Sequence, residues 1–594
     1  MEVQREKMLE ALNTHDKKMY FESNATNFSK IPGEPISYWI DSNWFINFEK
    51  YPSMRKVLTL KKGTSTGNND LFIKRWEEVD FTRINFSSHN PEEALASKLK
   101  WFPMNGGGLR RKWYGNRDFV VNWENDGQEM KELATKLNHG KHWSRYIINP
   151  DRFFTESIGW SAISSSKISA RYVGYGFAFS SAAMEAFDND LKYTLGLINS
   201  VVAEDILALL APTLNYGVEQ VGRIPIILKE QDNIESIVNK NITLSQTDWD
   251  SFETSWDFQT HPLLSTSTLI EGKQPTLAER YEQFKAVCKD RFDTLQKNEE
   301  ELNRIFIDIY GLQEELTPDV AAKDVTVHQI FDSKDDIPDD LQGSNYVLTR
   351  EDVMKSLLSY AVGCLFGRYS LDTPGLAYAG GEWDAGKYQT FIPDDDNVVP
   401  ITDEEYFDDD LPSFICAWLK KAFGRENFEV NLEFLTDALG TRGATPKEKL
   451  RNYFLKNFYK DHCKTYQKRP IYWLFDSGKE NGFKAFVYIH RWTKDSEGRV
   501  LLYLHKVQSK YETELRAIDM NLENLSDKRR AARLEKRKDH LQKQLAEIKD
   551  YDEILDHMAN EQRTMDLDDG VKVNYEKMQT DREGVTYPIL AKLK

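Results

Sequence analysis

A chain of 594 residues is too long to fold around one hydrophobic core, so its sequence predicts several folded units. Helical patterns alternate with β-prone runs and turns, which indicates an α+β protein. No run approaches the roughly 20 apolar residues of a membrane span, so we expect no membrane partner. The four cysteines lie far apart without a CxxC spacing, which favours a reducing, cytoplasmic setting.

Changes of pattern divide the chain into regions. We expect an N-terminal helix and linker at 1–40, a mixed domain at 41–230 with a helix at 190–212, a helical spacer at 231–345, a helical domain at 346–498 that ends in an aromatic hairpin at 470–492, and a long helical region with a tail at 499–594. The last region is either one bent helix or an antiparallel coiled-coil hairpin, and Ser526-Asp527 is a candidate cap for its second half.

A basic, aromatic segment stands out in a chain whose formal net charge is -17. Residues 98–117, KLKWFPMNGGGLRRKWYGNR, contain no acidic residue. Three glycines let the backbone approach a phosphate closely, arginines bind phosphate or guanine, and aromatic rings stack on bases. The candidate DNA-facing residues here are Asn105, Arg110, Arg111, Lys112, Trp113 and Tyr114. The alternative is a basic surface loop whose aromatic residues pack into the domain.

Two further segments combine small donors with cations. They supply the candidates Lys61, Lys62, Thr64, Thr66, Asn68, Asn69 and Arg75 from KKGTSTGNNDLFIKRW, and Ser165, Lys167 and Arg171 from IGWSAISSSKISARY. A polar hairpin turn and a serine-rich turn are the plainer interpretations. A fourth basic run, KRRAARLEKRK at 528–538, is either a phosphate-binding helix face or an exposed face balanced by acids on a partner helix.

Signatures of catalysis are missing from the sequence. It contains no Walker A lysine motif, no HExxH and no G-x-S-x-G elbow, so we assign no catalytic, cofactor-binding or metal-binding residue. The acidic run at 392–410 is expected to be a solvated loop, because it lacks the glycine and final glutamate of an EF-hand. Asp461-His462-Cys463 is expected to be structural, since adjacent helical residues point in different directions.

The order of several segments resembles a known family. Residues 63–79 look like the G-x-x-T-G-x-N-x-x-F segment that opens target-recognition regions of type IIG-like adenine methyltransferases. That segment, 100–127, 158–171, 211–226, 359–384, 460–492 and 566–579 resemble, in the same order, the C-terminal half of the PglX family, the adenine-specific DNA methyltransferases of BREX phage-defence systems. The resemblance runs from about residue 20 to the end.

The resemblance has one large departure. The family carries a methyltransferase domain before this region, with a glycine-rich motif for S-adenosylmethionine and an Asn-Pro-Pro-Tyr motif, and neither motif is present here. The resemblance therefore implies a DNA-recognition half, either truncated or from a split gene, followed by helical spacers. It implies double-stranded DNA, a methyltransferase domain in cis or in trans and other BREX components as partners, and S-adenosylmethionine as the cofactor of the missing half. A non-enzymatic interaction scaffold and, third, a hydrolase such as a nuclease are the alternatives.

Overall fold

The protein is described by a computed structural model that covers residues 2–14, 24–38, 40, 42–164, 167–211, 215–265, 274–523 and 525–593. Helices and several small sheets are both present, which confirms the α+β class.

Helices and strands alternate in the first 230 residues. The helices are α1 (Glu2–Thr14), α2 (Ala25–Phe28), α3 (Ser42–Lys50), α4 (Met54–Val57), α5 (Asn69–Phe72), α6 (Pro91–Ser97), α7 (Glu124–Leu137), α8 (Leu191–Ile198), α9 (Val201–Leu210) and α10 (Val218–Val221). The strands are β1 (Thr59–Lys62), β2 (Ile73–Arg75), β3 (Trp101–Asn105), β4 (Phe119–Asn122), β5 (Ser157–Ser161), β6 (Ala170–Gly174), β7 (Ala178–Phe179) and β8 (Ala183–Phe187).

Helices dominate the rest of the chain. They are α11 (Gln231–Trp249), α12 (Pro262–Ser265), α13 (Leu277–Tyr310), α14 (Arg350–Leu365), α15 (Leu411–Phe423), α16 (Phe428–Ala438), α17 (Pro446–Lys456), α18 (Phe458–Thr465), α19 (Ser496–Glu523), α20 (Lys528–Asn560) and α21 (Val571–Lys577). The strands here are β9 (Gln329–Phe331), β10 (Val347–Thr349), β11 (Val399–Pro400), β12 (Tyr472–Asp476) and β13 (Lys484–Tyr488).

Two four-stranded sheets build the N-terminal region. One has the order β1-β8-β5-β6 and is antiparallel throughout; the other has the order β2-β4-β3-β7, with β3 and β7 parallel. In the first sheet Ile158 and Ala186 are paired and belong to one hydrophobic cluster with α8 and α9. Because side chains alternate across a sheet, the row formed by Lys61, Glu185, Gly159 and Arg171 lies on the other face.

The helix expected at 190–212 is interrupted. Asn199 leaves the helix and exchanges two hydrogen bonds with Ala170 of β6, at 2.8 and 3.0 Å. Ser200 then caps α9 by accepting from Ala203 N, so two helices replace one. In the described part of the chain no single helix is long and apolar enough for a membrane span; α8 and α9 meet that measure only when taken together, across a bend of 71°.

The spacer expected at 231–345 is helical only in part. α13 begins at a capping box made by Thr276 and Glu279 and ends at Gly311, whose φ of 70° is left-handed. Beyond Gly311 short turns lead into the parallel pair β9 and β10. The two halves of α13 lie in different hydrophobic clusters: Tyr281 packs with the C-terminal helices and Leu302 packs with α8 and α9.

The aromatic hairpin expected at 470–492 is confirmed. β12 and β13 are antiparallel, with Tyr472 opposite Tyr488, and β11 extends the sheet. His462 Nε2 accepts hydrogen bonds from Ile471 N and Tyr472 N, at 3.1 and 3.0 Å, which ties α18 to the hairpin. His462 and Cys463 are buried, in keeping with a structural role.

The acidic run at 392–410 is not wholly solvated, which corrects that expectation. Asp394 is buried and its carboxylate accepts from Val398 N at 3.2 Å. Asp410 is buried as well, because it caps α15 through Ser413 N and forms an ion pair with Arg451. Internal partners therefore account for part of the negative charge of this segment.

The long C-terminal region folds as a two-helix hairpin. Lys538 pairs with Asp519 and His505 pairs with Asp552, so α19 and α20 run in opposite directions. Asp527 caps α20 by accepting from Arg529 N and Arg530 N, as its position suggested. A hairpin thus replaces the alternative of one bent helix; coiled-coil packing of its seam stays a prediction.

Contacts from the end of the chain reach the N-terminal sheets. The buried Asp568 accepts from Trp101 Nε1 at 2.7 Å and pairs with Lys100 at 3.0 Å and with Arg83. His490 Nε2 donates to Val79 O at 3.0 Å. Asp568 therefore helps to hold β3, the strand that lies within the basic segment.

Replacing Asp568 by asparagine should loosen this junction. Asp568→Asn keeps the shape of the side chain but leaves two cations without their carboxylate, so we expect the free energy of unfolding to fall by about 2 kcal/mol. Urea unfolding followed by tryptophan fluorescence measures the change. The matched variant Asp550→Asn, at an exposed position of α20, should leave the urea midpoint unchanged; equal midpoints for both variants would contradict the assigned role.

Candidate nucleic-acid interface

The glycine-rich loop that follows β3 is held in place rather than free. Gly107 and Gly108 have left-handed φ angles of 78° and 109°, and a Cβ on Gly107 would lie 3.0 Å from Ala182 O. Arg171 Nη2 and Asn116 Nδ2 donate to Gly107 O at 3.3 and 3.1 Å. These carbonyl contacts turn the loop towards the sheet.

The three consecutive basic residues of the loop each meet a carboxylate from the next region of the chain. Arg110 pairs with Asp324 at 3.1 Å, Arg111 with Asp248 at 2.5 Å and Lys112 with Glu299 at 2.6 Å. Because Arg111 and Lys112 are buried, these pairs compensate charge in the interior, where an unpaired cation would cost several kcal/mol.

Asp248 is the centre of this network. Its carboxylate also pairs with Arg291 at 3.2 Å and with His328 Nδ1 at 2.9 Å. Burial alone would raise the pKa of Asp248; His328, Arg111 and Arg291 more than offset that and hold it below its ordinary value. Asp248 is therefore a charged hub that joins α11, α13 and the loop.

The two aromatic residues after these cations are buried and are not available for stacking on bases here. Trp113 Nε1 donates to Glu299 Oε1 at 2.7 Å, and the guanidinium of Arg117 lies 4.0 Å from the centre of the Tyr114 ring. The interpretation of aromatic residues packed into the domain therefore fits this conformation.

A polar layer lies on the inner face of the first sheet. Arg171 is fully buried and donates to the carbonyl oxygens of Arg111 and Gly107, and this burial lowers the pKa of Arg171 to about 10. Asn105 and Ser157 each donate to Glu185 at 2.8 Å, while burial raises the pKa of Glu185 from 4.5 to about 7.

The segment at 63–69 forms a turn with its own hydrogen bonds. Thr64 Oγ1 donates to Tyr146 O at 3.1 Å. Thr66 Oγ1 donates to Asn69 Oδ1 at 2.6 Å, and Asn68 Oδ1 caps α5 by accepting from Leu71 N at 3.2 Å. Asn68 and Asn69 remain exposed to solvent.

The residues expected to face DNA fall into two groups. In the interior are Thr64, Thr66, Arg75, Asn105, Arg111, Lys112, Trp113, Tyr114 and Arg171. At the surface or half-buried are Lys61, Lys62, Asn68, Asn69, Arg110 and Lys167. Ser165 lies outside the described residues. The side chains of the first group are buried in this conformation, and their contact with DNA stays a prediction.

A cavity of about 280 Å³ brings several of these segments together, and we call it the Arg75 cavity. Its lining includes Thr64, Asn69, Asp70, Arg75, Gly106, Phe119, Ser180, Ser181 and Arg469. Sequence reasoning missed Asp70, Ser180, Ser181 and Arg469. Arg469 comes from the segment before the aromatic hairpin, and only the tertiary fold brings it here.

Arg75 gives this cavity unused donors. Its Nη2 pairs with Glu77 and Asp118, at 3.1 and 3.2 Å. Its Nε and Nη1 are buried without a hydrogen-bond partner in the part of the chain that the structure describes. A buried donor left unpaired costs about 1–3 kcal/mol, so a group with acceptor oxygens or nitrogens would be stabilised here. Arg469 is partly exposed at the same cavity and pairs with Glu78 at 3.1 Å.

Removing the charge of the hub should destabilise the fold strongly. Asp248→Asn leaves Arg111 and Arg291 without their shared carboxylate, and we expect the free energy of unfolding to fall by about 3–5 kcal/mol. Urea unfolding followed by circular dichroism is the measurement. Asp290→Asn, an exposed substitution on α13, is the control. A loss below about 1 kcal/mol would show that the network does not hold the loop.

The raised pKa of Glu185 predicts a pH dependence. The folded form holds this proton more tightly than the unfolded form, so the free energy of unfolding falls as pH rises from about 4.5 to about 7. Glu185→Gln removes this contribution, so its stability relative to the wild type should increase across that window, on the order of 3 kcal/mol in total. Chemical unfolding at a series of pH values tests this, with exposed Glu553→Gln as control; parallel curves for wild type and Glu185→Gln would refute it.

Two known proteins are similar to nearly the whole of this chain. No family model matches it. It is 40% identical over 587 residues to the adenine-specific methyltransferase PglX of Lacticaseibacillus casei (strain Zhang), covering 97% of this chain and 47% of that protein. It is 34% identical over 571 residues to the adenine-specific methyltransferase BrxX of Escherichia coli O9:H4 (strain HS), covering 93% of this chain and 45% of that protein. The chain spans about half the length of these relatives and is, over nearly all of its own length, a PglX/BrxX-like protein.

Proposed function

We propose that this chain is the DNA-recognition portion of a site-specific adenine DNA methyltransferase that acts in BREX-type phage defence. The similarity to PglX and BrxX supports a role connected with adenine methylation. The chain lacks the Asn-Pro-Pro-Tyr sequence and the glycine-rich motif for S-adenosylmethionine. We therefore assign binding of that cofactor and transfer of the methyl group to a methyltransferase domain outside this chain, supplied in cis or in trans in the cytoplasm, with other BREX components as further partners.

The observation that carries the proposal is the Arg75 cavity. It collects hydroxyl, amide and guanidinium donors from the turn at 63–69, from β2, from the segment at 180–181 and from Arg469. Such donors bind phosphate oxygens, and arginine also pairs with the N7 and O6 acceptors of guanine. The guanidinium groups of Arg75 and Arg469 both line this cavity, which favours an acceptor-rich ligand such as a phosphate of duplex DNA.

Residues that neighbour the cavity lining in the chain would extend this contact with DNA. Lys61 and Lys62 end β1 directly before the turn, and Asn68 and Asn69 follow within it. Lysines supply sequence-independent attraction to phosphates, while asparagine amides pair with adenine edges. The buried cations Arg111 and Lys112 would stabilise the fold beneath this surface and would not contact the DNA.

Arg469 offers the sharpest test. Arg469→Gln removes one cation from the cavity, so we expect a roughly tenfold weaker affinity for duplex DNA and a salt dependence that becomes shallower by about one unit in its logarithmic slope. Fluorescence anisotropy with a labelled 30-base-pair duplex, measured across salt concentrations, gives both values. Arg442→Gln is the matched control, because Arg442 is exposed and does not line the cavity.

The two arginine variants together decide whether the cavity takes part in DNA recognition. Equal affinity and equal slope for Arg469→Gln and Arg442→Gln would remove the cavity from that role. Replacing Arg110 and Arg111 by glutamate would not be informative, because it breaks ion pairs with Asp324 and Asp248 and thereby disturbs the fold.

The interaction scaffold remains a second candidate for one specific reason. Three of the candidate cations are buried and stabilise the fold, namely Arg111, Lys112 and Arg171. Such a structural role does not require contact with DNA. The same anisotropy titration decides between the two functions, since a scaffold predicts no salt-dependent binding of the duplex by the wild-type chain.

A further inference from the structure

The free end of the α19–α20 hairpin carries a group of cations that do not line the Arg75 cavity. We call residues 519–536 the hairpin tip. Its exposed cations on α20 are Lys528, Arg529, Arg530, Arg533 and Lys536. Within the part of the chain that the structure describes, none of the five has an ion pair.

The other half of the basic run behaves differently. Arg537 is held by Asp403 at 2.7 Å and by Glu514 at 2.9 Å, and Lys538 pairs with Asp519 at 2.5 Å. The chain thus compensates these two cations internally. The expectation of acids on the partner helix is met for Arg537 and Lys538, and it is not met for the tip.

Among the described residues of the tip, none is fully buried. The last buried residue of α19 is Ile518 and the first buried residue of α20 is Leu541. Among the described residues, the hydrogen bonds of the tip stay within the hairpin, as Lys538 with Asp519 and Asn521 with Ala517 illustrate. The tip is therefore accessible to a partner from several directions.

Three of the cations form a stripe along one side of α20. Arg529, Arg533 and Lys536 are four and three residues apart, so they lie on one face of the helix over about 10 Å. Leu534 packs against the core from another side. The tip also contains acids, since Glu535 is exposed. Glu535 lies about 100° around the helix from Lys536 and, among the described residues, forms no ion pair with the stripe.

Keeping like charges at this spacing has a cost. Each pair of cations at i,i+3 or i,i+4 is unfavourable by a few tenths of a kcal/mol. Asp527 and Asp539 lie near the ends of the stripe, but within the described residues neither forms an ion pair with these three cations. An external polyanion would therefore relieve the remaining repulsion. A duplex carries about six phosphates in 10 Å of its axis, counted over both strands, so one strand presents about three phosphates to the three cations of the stripe.

We infer that the hairpin tip is a second, sequence-independent DNA-binding surface, whose stripe of Arg529, Arg533 and Lys536 binds the phosphate backbone of duplex DNA outside the recognised site. The inference rests on the proposed function for the presence of DNA, and it assigns contacts that the Arg75 cavity does not make.

The experiment compares two triple variants of the full chain. One is Arg529→Gln, Arg533→Gln and Lys536→Gln; the matched control is Lys494→Gln, Lys543→Gln and Lys549→Gln, exposed positions that lose the same charge in the body of the protein. The probe is a labelled 30-base-pair duplex of random sequence, titrated by anisotropy between low and moderate salt. Helical content by circular dichroism verifies that both variants fold.

The tip variant should bind the random duplex at least tenfold more weakly at low salt. Its logarithmic salt slope should become shallower by about 2.7 units, the release expected for three phosphate contacts, while the control keeps the wild-type slope. Unchanged affinity and slope in the tip variant would overturn the inference. Polyglutamate that displaces the wild-type chain from DNA as efficiently as unlabelled duplex, at equal charge, would overturn it as well, because the surface would then fit an acidic protein.

This result is separable from the test of the proposed function. If Arg469→Gln binds like the wild type while the tip variant weakens, the hairpin contact stands and recognition through the Arg75 cavity falls. If Arg469→Gln weakens binding and the tip variant does not, the hairpin contact falls and the cavity stands.

Discussion

The interaction on which the rest of the N-terminal architecture depends is the buried charge network around Asp248. A buried guanidinium needs compensating acceptors, because the desolvation of an unpaired charge costs several kcal/mol. Asp248 supplies a carboxylate to Arg111, and Glu299 does the same for Lys112. The position of the glycine-rich loop is therefore fixed by two helices that follow it in the chain.

α13 carries this constraint to the rest of the molecule. Arg291 and Glu299 lie on it, so the same helix that neutralises the loop also packs with the C-terminal helices through Tyr281. Asp568 adds a second connection from the end of the chain to β3. The Arg75 cavity lies in this region of the fold. Arg469 lines the cavity and pairs there with Glu78.

Local patterns predicted what is local. The aromatic hairpin at 472–488 follows from two aromatic runs on either side of a polar turn, and the cap at Asp527 follows from a short polar side chain before a helical pattern. The site was predictable only as a set of segments. Whether a cation such as Arg111 is exposed depends on an acid far along the chain, which no local pattern shows. The same holds for Arg469, and the break at Asn199 arises from its bonds to Ala170.

On the proposed function, the network around Asp248 also constrains how the recognised DNA sequence can change. A recognition unit cut at residue 230 and transplanted onto another scaffold would carry Arg110, Arg111 and Lys112 away from their carboxylates, and the recipient would have to provide three acids in the same places. A transplant that keeps these ion pairs therefore has to extend through α13 and on to Asp324, so that both partners of every pair move together.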